Sequence, residues 1–180
     1  MNLSRHPTST NSVFYLYFIT RSTSLSNRLS TPLLPLQLFI RQFLSIDDIM
    51  MKSKTINKSI KIDPETVYDF LSNLENLSRW AADTFPSITE VNGEWIVDTP
   101  HGQNKVMLTE RNNYGILDHH VKLTSGVEVY VPMRVVKNGD GSEVMLTVFQ
   151  PPEMTDEAFV EDIQTVEKDL NNLKTIVEES

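Results

Sequence analysis

The chain has 180 residues, of which 39% are hydrophobic and 22% are charged, and it carries a net charge of −8 at pH 7. Such a length and composition fit one soluble globular domain with a sizeable core and, at most, a short appendage. Cysteine is absent, which excludes disulfides and thiolate chemistry and leaves the redox compartment open.

The charge is divided unevenly between residues 1–50 and residues 51–180. The first segment has four arginines and two aspartates, a net charge of +2, so the remainder carries −10. A domain this acidic repels phosphate backbones, and nucleic acid is therefore not an expected partner.

Residues 1–46 contain no acidic residue and are rich in serine and threonine. Their two apolar runs are far shorter than the roughly 20 residues of a membrane-spanning helix, so no span is expected. The composition is that of an organellar transit peptide, but Met50 and Met51 offer a later translation start. We therefore predict an unstructured extension at 1–50 and one folded domain at 51–180, cytoplasmic unless the extension is a genuine transit peptide.

A clean hydrophobic periodicity begins with residues 55–62, which alternate as a strand does. Asp63 and Pro64 then supply a helix N-cap and a first-turn proline, so a short helix is expected. Ser72 and Glu75 form the pattern of a capping box, which predicts a second short helix.

Six strands and a long terminal helix are predicted for the remainder of the chain. The strands are expected near 88–91, 94–99, 104–111, 116–123, 127–136 and 142–150. The helix begins at Asp156 and is amphipathic. Its apolar stripe consists of Phe159, Ile163, Val166, Leu170, Leu173 and Val177.

The stretch IDPETVYDF (62–70), where a strand ends in a capped helix, resembles the opening of START-like proteins of the polyketide cyclase/dehydrase superfamily (SRPBCC). Trp80 and the order of elements over roughly 54–178 are similar too. This resemblance implies an α+β helix-grip fold, in which a seven-stranded curved antiparallel sheet wraps around a long C-terminal helix and two short helices follow strand 1. The superfamily includes lipid and hormone carriers, aromatase/cyclases and chaperone regulators, so the fold alone does not choose a function.

The stretch GILDHHVKL (115–123) contains an aspartate and two histidines in one predicted strand. The Thr-Ser-Gly turn that follows predicts a three-residue hairpin loop, which places Lys122 opposite Glu128 as an opposite-charge pair. Successive side chains of a strand face opposite ways, so this register turns His119 inward and turns Asp118 and His120 outward. The three residues are therefore not expected to form one catalytic or metal-binding cluster.

His119 and Glu110 are the candidate polar residues of an internal site, because turn register also places Glu110 inward on the adjacent strand. The pair could orient a ligand carbonyl or hydroxyl, or act as a general acid and base. Alternatively, His119 is an ordinary buried histidine that a carboxylate or water satisfies. Apolar side chains are predicted to line the same cavity, between the sheet and the terminal helix: Trp80, Trp95, Leu108, Leu117, Val121, Val131, Met133 and Phe159.

On the outer face of the sheet, Asp118 and Arg134 are expected to form a surface salt bridge.

Three functions stay open on this basis. The first is binding of a small hydrophobic molecule in the cavity, and the second is a polyketide cyclase/dehydratase-like enzyme that uses His119. The third is an interaction module with a filled core, and the outer sheet face, with Met145 and Phe149, could mediate a homo-oligomer.

No metal-binding spacing or nucleotide motif occurs, so neither a metal nor a cofactor is predicted. The acidic residues of the last helix, Asp162 and Asp169 among them, are interpreted as a solvated face.

Overall fold

The computed structural model describes residues 50–99 and 102–180, which form eight strands and three α-helices. In chain order these are β1 (Lys52–Ile60), α1 (Pro64–Ser72), α2 (Leu77–Trp80), β2 (Ile88–Val91), β3 (Glu94–Thr99), β4 (Gly102–Leu108), β5 (His119–Lys122), β6 (Glu128–Val131), β7 (Met133–Asn138), β8 (Gly141–Gln150) and α3 (Asp156–Glu178). A 3₁₀ turn, Leu74–Asn76, joins α1 to α2. The predicted order of elements is confirmed except for the number of strands. The predicted N-terminal extension, apart from Met50, lies outside the described residues.

The predicted seven-stranded sheet is corrected to two antiparallel sheets. One contains β1, β8 and β7 in that order, and the other contains β2 to β6 in sequential order. The predicted strand 127–136 is interrupted at Pro132, which has no N–H to donate to a β-ladder. Its two halves, β6 and β7, form their ladders with β5 and β8. The two sheets stay connected at this point, because the backbone N of Thr147 donates to the carbonyl of Pro132 and the backbone N of Leu117 donates to that of Met133.

The hairpin register predicted for β5 and β6 is confirmed, because Lys122 lies opposite Glu128. His119 faces the interior of the protein. His120 lies on the outside, where its Nδ1 is 2.7 Å from Oε1 of Glu128. Asp118, His119 and His120 thus alternate between the two sides of the sheet, as the strand geometry requires.

Short polar side chains mark where the helices begin. Asp63 caps α1 and Thr155 caps α3, each by accepting a hydrogen bond from the backbone N–H three residues on. The predicted capping box of Ser72 and Glu75 is wrong. Asn73 accepts the hydrogen bond from the backbone N of Glu75 instead, at 3.1 Å, and so caps the 3₁₀ turn.

The hydrophobic core has two parts. α3 packs against β1, β8 and α2, and most buried side chains gather around it in a first cluster. A second cluster lies on the five-stranded sheet and consists of Leu74, Val97, Val106, Val121 and Leu123. Phe85, Ile88 and Leu108 pack against both clusters, so the two parts meet at a seam. In the described part of the chain, no helix is both long enough and apolar enough to cross a membrane.

Asp118 joins strands of both sheets at the point where Pro132 interrupts the ladder. Its carboxylate accepts hydrogen bonds from the hydroxyl of Tyr130 at 2.7 Å and from the backbone N of Met133 at 2.9 Å. The guanidinium of Arg134 donates to it as well. Only 13% of the Asp118 side chain is accessible to solvent. The predicted pair with Arg134 therefore exists, but it is part of a mostly buried, three-donor site and not a simple surface salt bridge.

Replacing Asp118 with alanine is expected to lower the free energy of unfolding by about 2–4 kcal/mol, because three donors lose a charged acceptor. The matched control is Glu128→Ala, which removes the exposed partner of His120 and should cost less than about 1 kcal/mol. Urea unfolding followed by circular dichroism measures both variants. Equally small losses would contradict the role assigned to Asp118.

Candidate functional site

A cavity lies at the seam between the two hydrophobic clusters, beneath the five-stranded sheet and beside α2 and α3. About 80 Å³ of it is open to the centres of water molecules. One buried water needs roughly 10–15 Å³ by the same measure, so the cavity has room for several waters or for a small organic molecule. The core at this seam is therefore not filled by side chains.

The lining of the cavity is mostly aliphatic and aromatic. The helical side contributes Leu77, Trp80, Ala81, Phe85 and Val166. The strand side contributes Val121, Leu123, Val129, Val131 and Leu146. Five polar residues complete it: Thr84, Thr99, Asn104, His119 and Asp169. Within residues 50–99 and 102–180, no three histidine or carboxylate side chains are placed to hold a metal ion.

The side chains predicted to line the cavity divide into three groups. Four line it: Trp80, His119, Val121 and Val131. Three are buried away from it, in the cluster around α3: Leu117, Met133 and Phe159. Two are partly buried against the core: Trp95 and Leu108. All nine were expected inside, but the strand pattern could not distinguish packed positions from positions at the seam.

The prediction that Glu110 points inward beside His119 is wrong. β4 ends at Leu108, and the Glu110 side chain is exposed. The chain leaves the sheet here because the side chain of Asn112 holds a loop together. Its Oδ1 accepts from the backbone N of Ile116 at 3.1 Å, and its Nδ2 donates to the carbonyl of Glu110 at 3.0 Å. Glu110 is therefore not a partner of His119.

His119 presents one ring nitrogen to the cavity. Its Nδ1 lies 3.1 Å from the carbonyl oxygen of Leu117, and since a carbonyl only accepts, Nδ1 carries the proton of the neutral ring. Burial lowers the pKa of His119 below its usual value of 6.5, and the nearby His120 acts in the same direction. The imidazole is thus neutral at pH 7. Its Nε2 has no hydrogen-bond partner among the described residues and is left as an acceptor.

Asp169 brings a carboxyl group from α3 to the same cavity. The residue is only 4% exposed. Its Oδ2 accepts a hydrogen bond from Oγ1 of Thr84 at 2.9 Å, whereas its Oδ1 has no partner within the described part of the chain. Burial raises the pKa of Asp169 to about 7, although the hydrogen bond from Thr84 opposes the shift. The carboxyl group is therefore able to gain or lose a proton near neutral pH.

The interpretation of Asp162 and Asp169 as a solvated face is wrong. Asp162 is 1% exposed, and neither of its carboxyl oxygens has a hydrogen-bond partner in the described residues. The sequence did contain the signal. Asp162 lies between Phe159 and Val166 at helical spacing, and Asp169 lies likewise between Val166 and Leu173, so both belong to the apolar stripe of α3.

Asp162→Asn is expected to stabilise the protein most above pH 7. Burial, with a smaller effect of Glu161, raises the pKa of Asp162 from 3.8 to about 7. The folded state therefore holds a proton that the unfolded state releases between about pH 4 and pH 7, and stability falls as the pH rises through this window. The variant lacks this loss, so its gain should be larger at pH 8 than at pH 5 by about 2–3 kcal/mol. Urea unfolding at both pH values measures the gain, and an equal gain at both would show that Asp162 ionises normally.

The outer face of the three-stranded sheet is largely polar. Glu143 accepts hydrogen bonds there from Asn57 at 2.7 Å and from Ser59 at 2.6 Å. Met145 and Phe149 are only partly exposed on this face. Self-association through it stays a prediction, which sedimentation velocity at several protein concentrations can test.

The fold is similar to several solved structures. XoxI from Bacillus cereus has a TM-score of 0.57 at 19% identity, over 71% of this chain and 96% of that one. The Aha1 dimer from Colwellia psychrerythraea has a TM-score of 0.56 at 17% identity, over 71% and 97%. CalU16 from Micromonospora echinospora has a TM-score of 0.53 at 14% identity, over 71% and 74%. No protein-family model and no curated protein matches the chain. At these identities the likeness concerns the fold alone.

Proposed function

We propose that this chain, which has the START-like helix-grip fold, binds a small hydrophobic molecule in the cavity between the five-stranded sheet and helices α2 and α3. One observation carries the proposal. The cavity has an apolar lining and contains two polar side chains with unused hydrogen-bonding capacity, His119 and Asp169. Apolar burial supplies affinity for such a ligand, and the polar groups orient it.

The unpaired polar atoms also argue against a core whose only role is packing. Leaving a buried donor or acceptor unsatisfied costs about 1–3 kcal/mol. Nε2 of His119 and Oδ1 of Asp169 both lack a partner among the described residues, and both residues line the same cavity. A bound molecule that pairs with Oδ1 of Asp169 recovers this cost, as waters in the cavity also would, whereas a core filled by side chains has room for neither.

Filling the cavity is expected to abolish ligand binding. Val131→Phe places a larger side chain in the lining, so the affinity for a compact apolar probe such as 2-phenylethanol should fall at least about tenfold. Isothermal titration calorimetry on the full chain measures the change. Val136→Phe is the matched control, because Val136 is 39% exposed on β7 and does not line the cavity. Unchanged binding by a correctly folded Val131→Phe variant would place the probe elsewhere.

His119→Leu is expected to weaken binding of 2-phenylethanol about five- to tenfold, because the probe's hydroxyl loses the acceptor Nε2. Ethylbenzene has a similar shape and no hydroxyl, so its affinity should change little. The same calorimetric titration, run with both probes, separates the two contributions. If both probes lost affinity equally, His119 would only shape the cavity.

A cyclase- or dehydratase-like enzyme is the second candidate, and one observation favours it. A neutral imidazole and a carboxyl group with a pKa of about 7 line one cavity, where they could accept and donate protons at neutral pH. Incubation with small aryl ketones in deuterated water, followed by NMR, tests for exchange of the protons next to the carbonyl. Exchange that disappears in His119→Leu while binding persists would favour the enzyme. Absence of exchange between pH 5 and pH 9 would favour binding alone.

A further inference from the structure

The carboxyl group of Asp169 is hard to explain as part of a packed core. It belongs to the buried stripe of α3, where an aliphatic side chain would pack, and Thr84 is its one hydrogen-bond donor among the described residues. A buried carboxyl group lowers stability once it ionises. Residues that break the packing pattern without an evident structural gain are expected at functional positions.

No cation of the described residues forms an ion pair with Asp169. The adjacent Lys168 is exposed and paired with Asp83; the charge of Lys168 favours ionisation of Asp169, whereas the charge of Asp83 opposes it. Across the cavity, His119 is kept neutral by burial. Above pH 7, where Asp169 is mostly ionised, these two residues offer acceptors, Oδ1 of Asp169 and Nε2 of His119, and no positive charge.

Among the lining residues, Trp80, Thr99 and Asn104 also carry donor groups. Asn104 lies far from His119 along the sheet. Lys105 pairs with Lys122, so Asn104 is level with Leu123. Leu123 is four residues along the sheet from His119, or roughly 13 Å at the rise of a β-strand. The amide of Asn104 is therefore remote from His119.

We infer that the cavity selects a small apolar molecule with a hydrogen-bond donor at one end. An ammonium group is preferred to a hydroxyl group as this donor, and carboxylates are rejected. This inference rests on the proposed function, since it names the ligand class of the same cavity. An ammonium group supplies the positive charge that Asp169 lacks, and such charge-assisted hydrogen bonds are roughly twice as strong as neutral ones. A carboxylate ligand would instead place a second negative charge beside Asp169.

Three probes with a common phenyl group test this order on the full chain: 2-phenylethylamine, 2-phenylethanol and 3-phenylpropionate. Isothermal titration calorimetry at pH 8 should show the amine binding about five- to tenfold more tightly than the alcohol, and the acid at least about tenfold more weakly than the alcohol. Equal affinities of amine and alcohol would overturn the inference and leave the proposed function standing. If no probe bound, both this inference and the proposed function would be contradicted.

Asp169→Asn removes the negative charge while it keeps the size of the side chain. The advantage of the amine over the alcohol should then disappear, while the affinity for the alcohol changes less than about threefold. Asp162→Asn is the matched control, because Asp162 is an equally buried carboxyl on the same helix but does not line the cavity. A loss of the advantage in both variants would show that the helix charge acts at a distance, and would overturn the inference.

The pH dependence in the native chain gives a second test that needs no variant. Between pH 8 and pH 5 the amine stays protonated, as its pKa is near that of lysine, about 10. Asp169 gains a proton over the same range, so the preference for the amine should decrease towards that of Asp169→Asn. His119 can only add positive charge on acidification, and Asp83 and Lys168 stay paired at the surface. A preference that does not change with pH would contradict the role of Asp169.

Discussion

The carboxylate of Asp118 holds the chain together at Pro132, where β6 ends and β7 begins, and the cavity lies beside these strands. β6 ends the five-stranded sheet and β7 begins an edge of the three-stranded one. Val129 packs against the second cluster, whereas Val131 and Met133, on either side of the proline, pack in the first. Asp118 holds the two strand ends together by hydrogen bonds to both. The first cluster draws on both sheets, since Leu108 and Val131 pack against it together with Leu146, and the cavity lies where the two clusters meet.

α3 has two roles that conflict energetically. The apolar stripe of α3 packs against the three-stranded sheet, and its Leu170 and Leu173 are fully buried. The same stripe carries Asp162 and Asp169, whose pKa values are raised to about 7 by burial. Near neutral pH these residues are partly ionised, so the charge of the cavity wall and the stability of the helix change over the same range. The polar chemistry of the cavity is therefore linked to the stability of the whole domain.

The fold could be predicted because it follows from local rules. Alternating strands, an Asp63 cap and the register set by a glycine turn are all readable in the sequence, and they also place His119 inside. The strand break at Pro132 was readable too, but a continuous alternation through it concealed the interruption. Glu110 could not be placed, since its direction depends on hydrogen bonds of Asn112 to residues on both sides of the loop. Asp169 was misread because acidic residues on a helix are usually solvated, although its spacing from Val166 and Leu173 places it on the buried stripe.

The pairing of β1 with β8 has a consequence for how the protein is made. Thr55 and Thr147 share a hydrogen bond although they are 92 positions apart in the chain, and α1, α2 and strands β2 to β7 are synthesised between them. β1 emerges from the ribosome first and has no partner strand until β8 follows, so the nascent chain cannot close its main core early. Contacts this distant in sequence make folding slow. β1 carries Lys52 and Lys54, which are exposed, and Lys58, which is half-buried. Such charges on an unpaired strand hinder association with other chains before β8 is made.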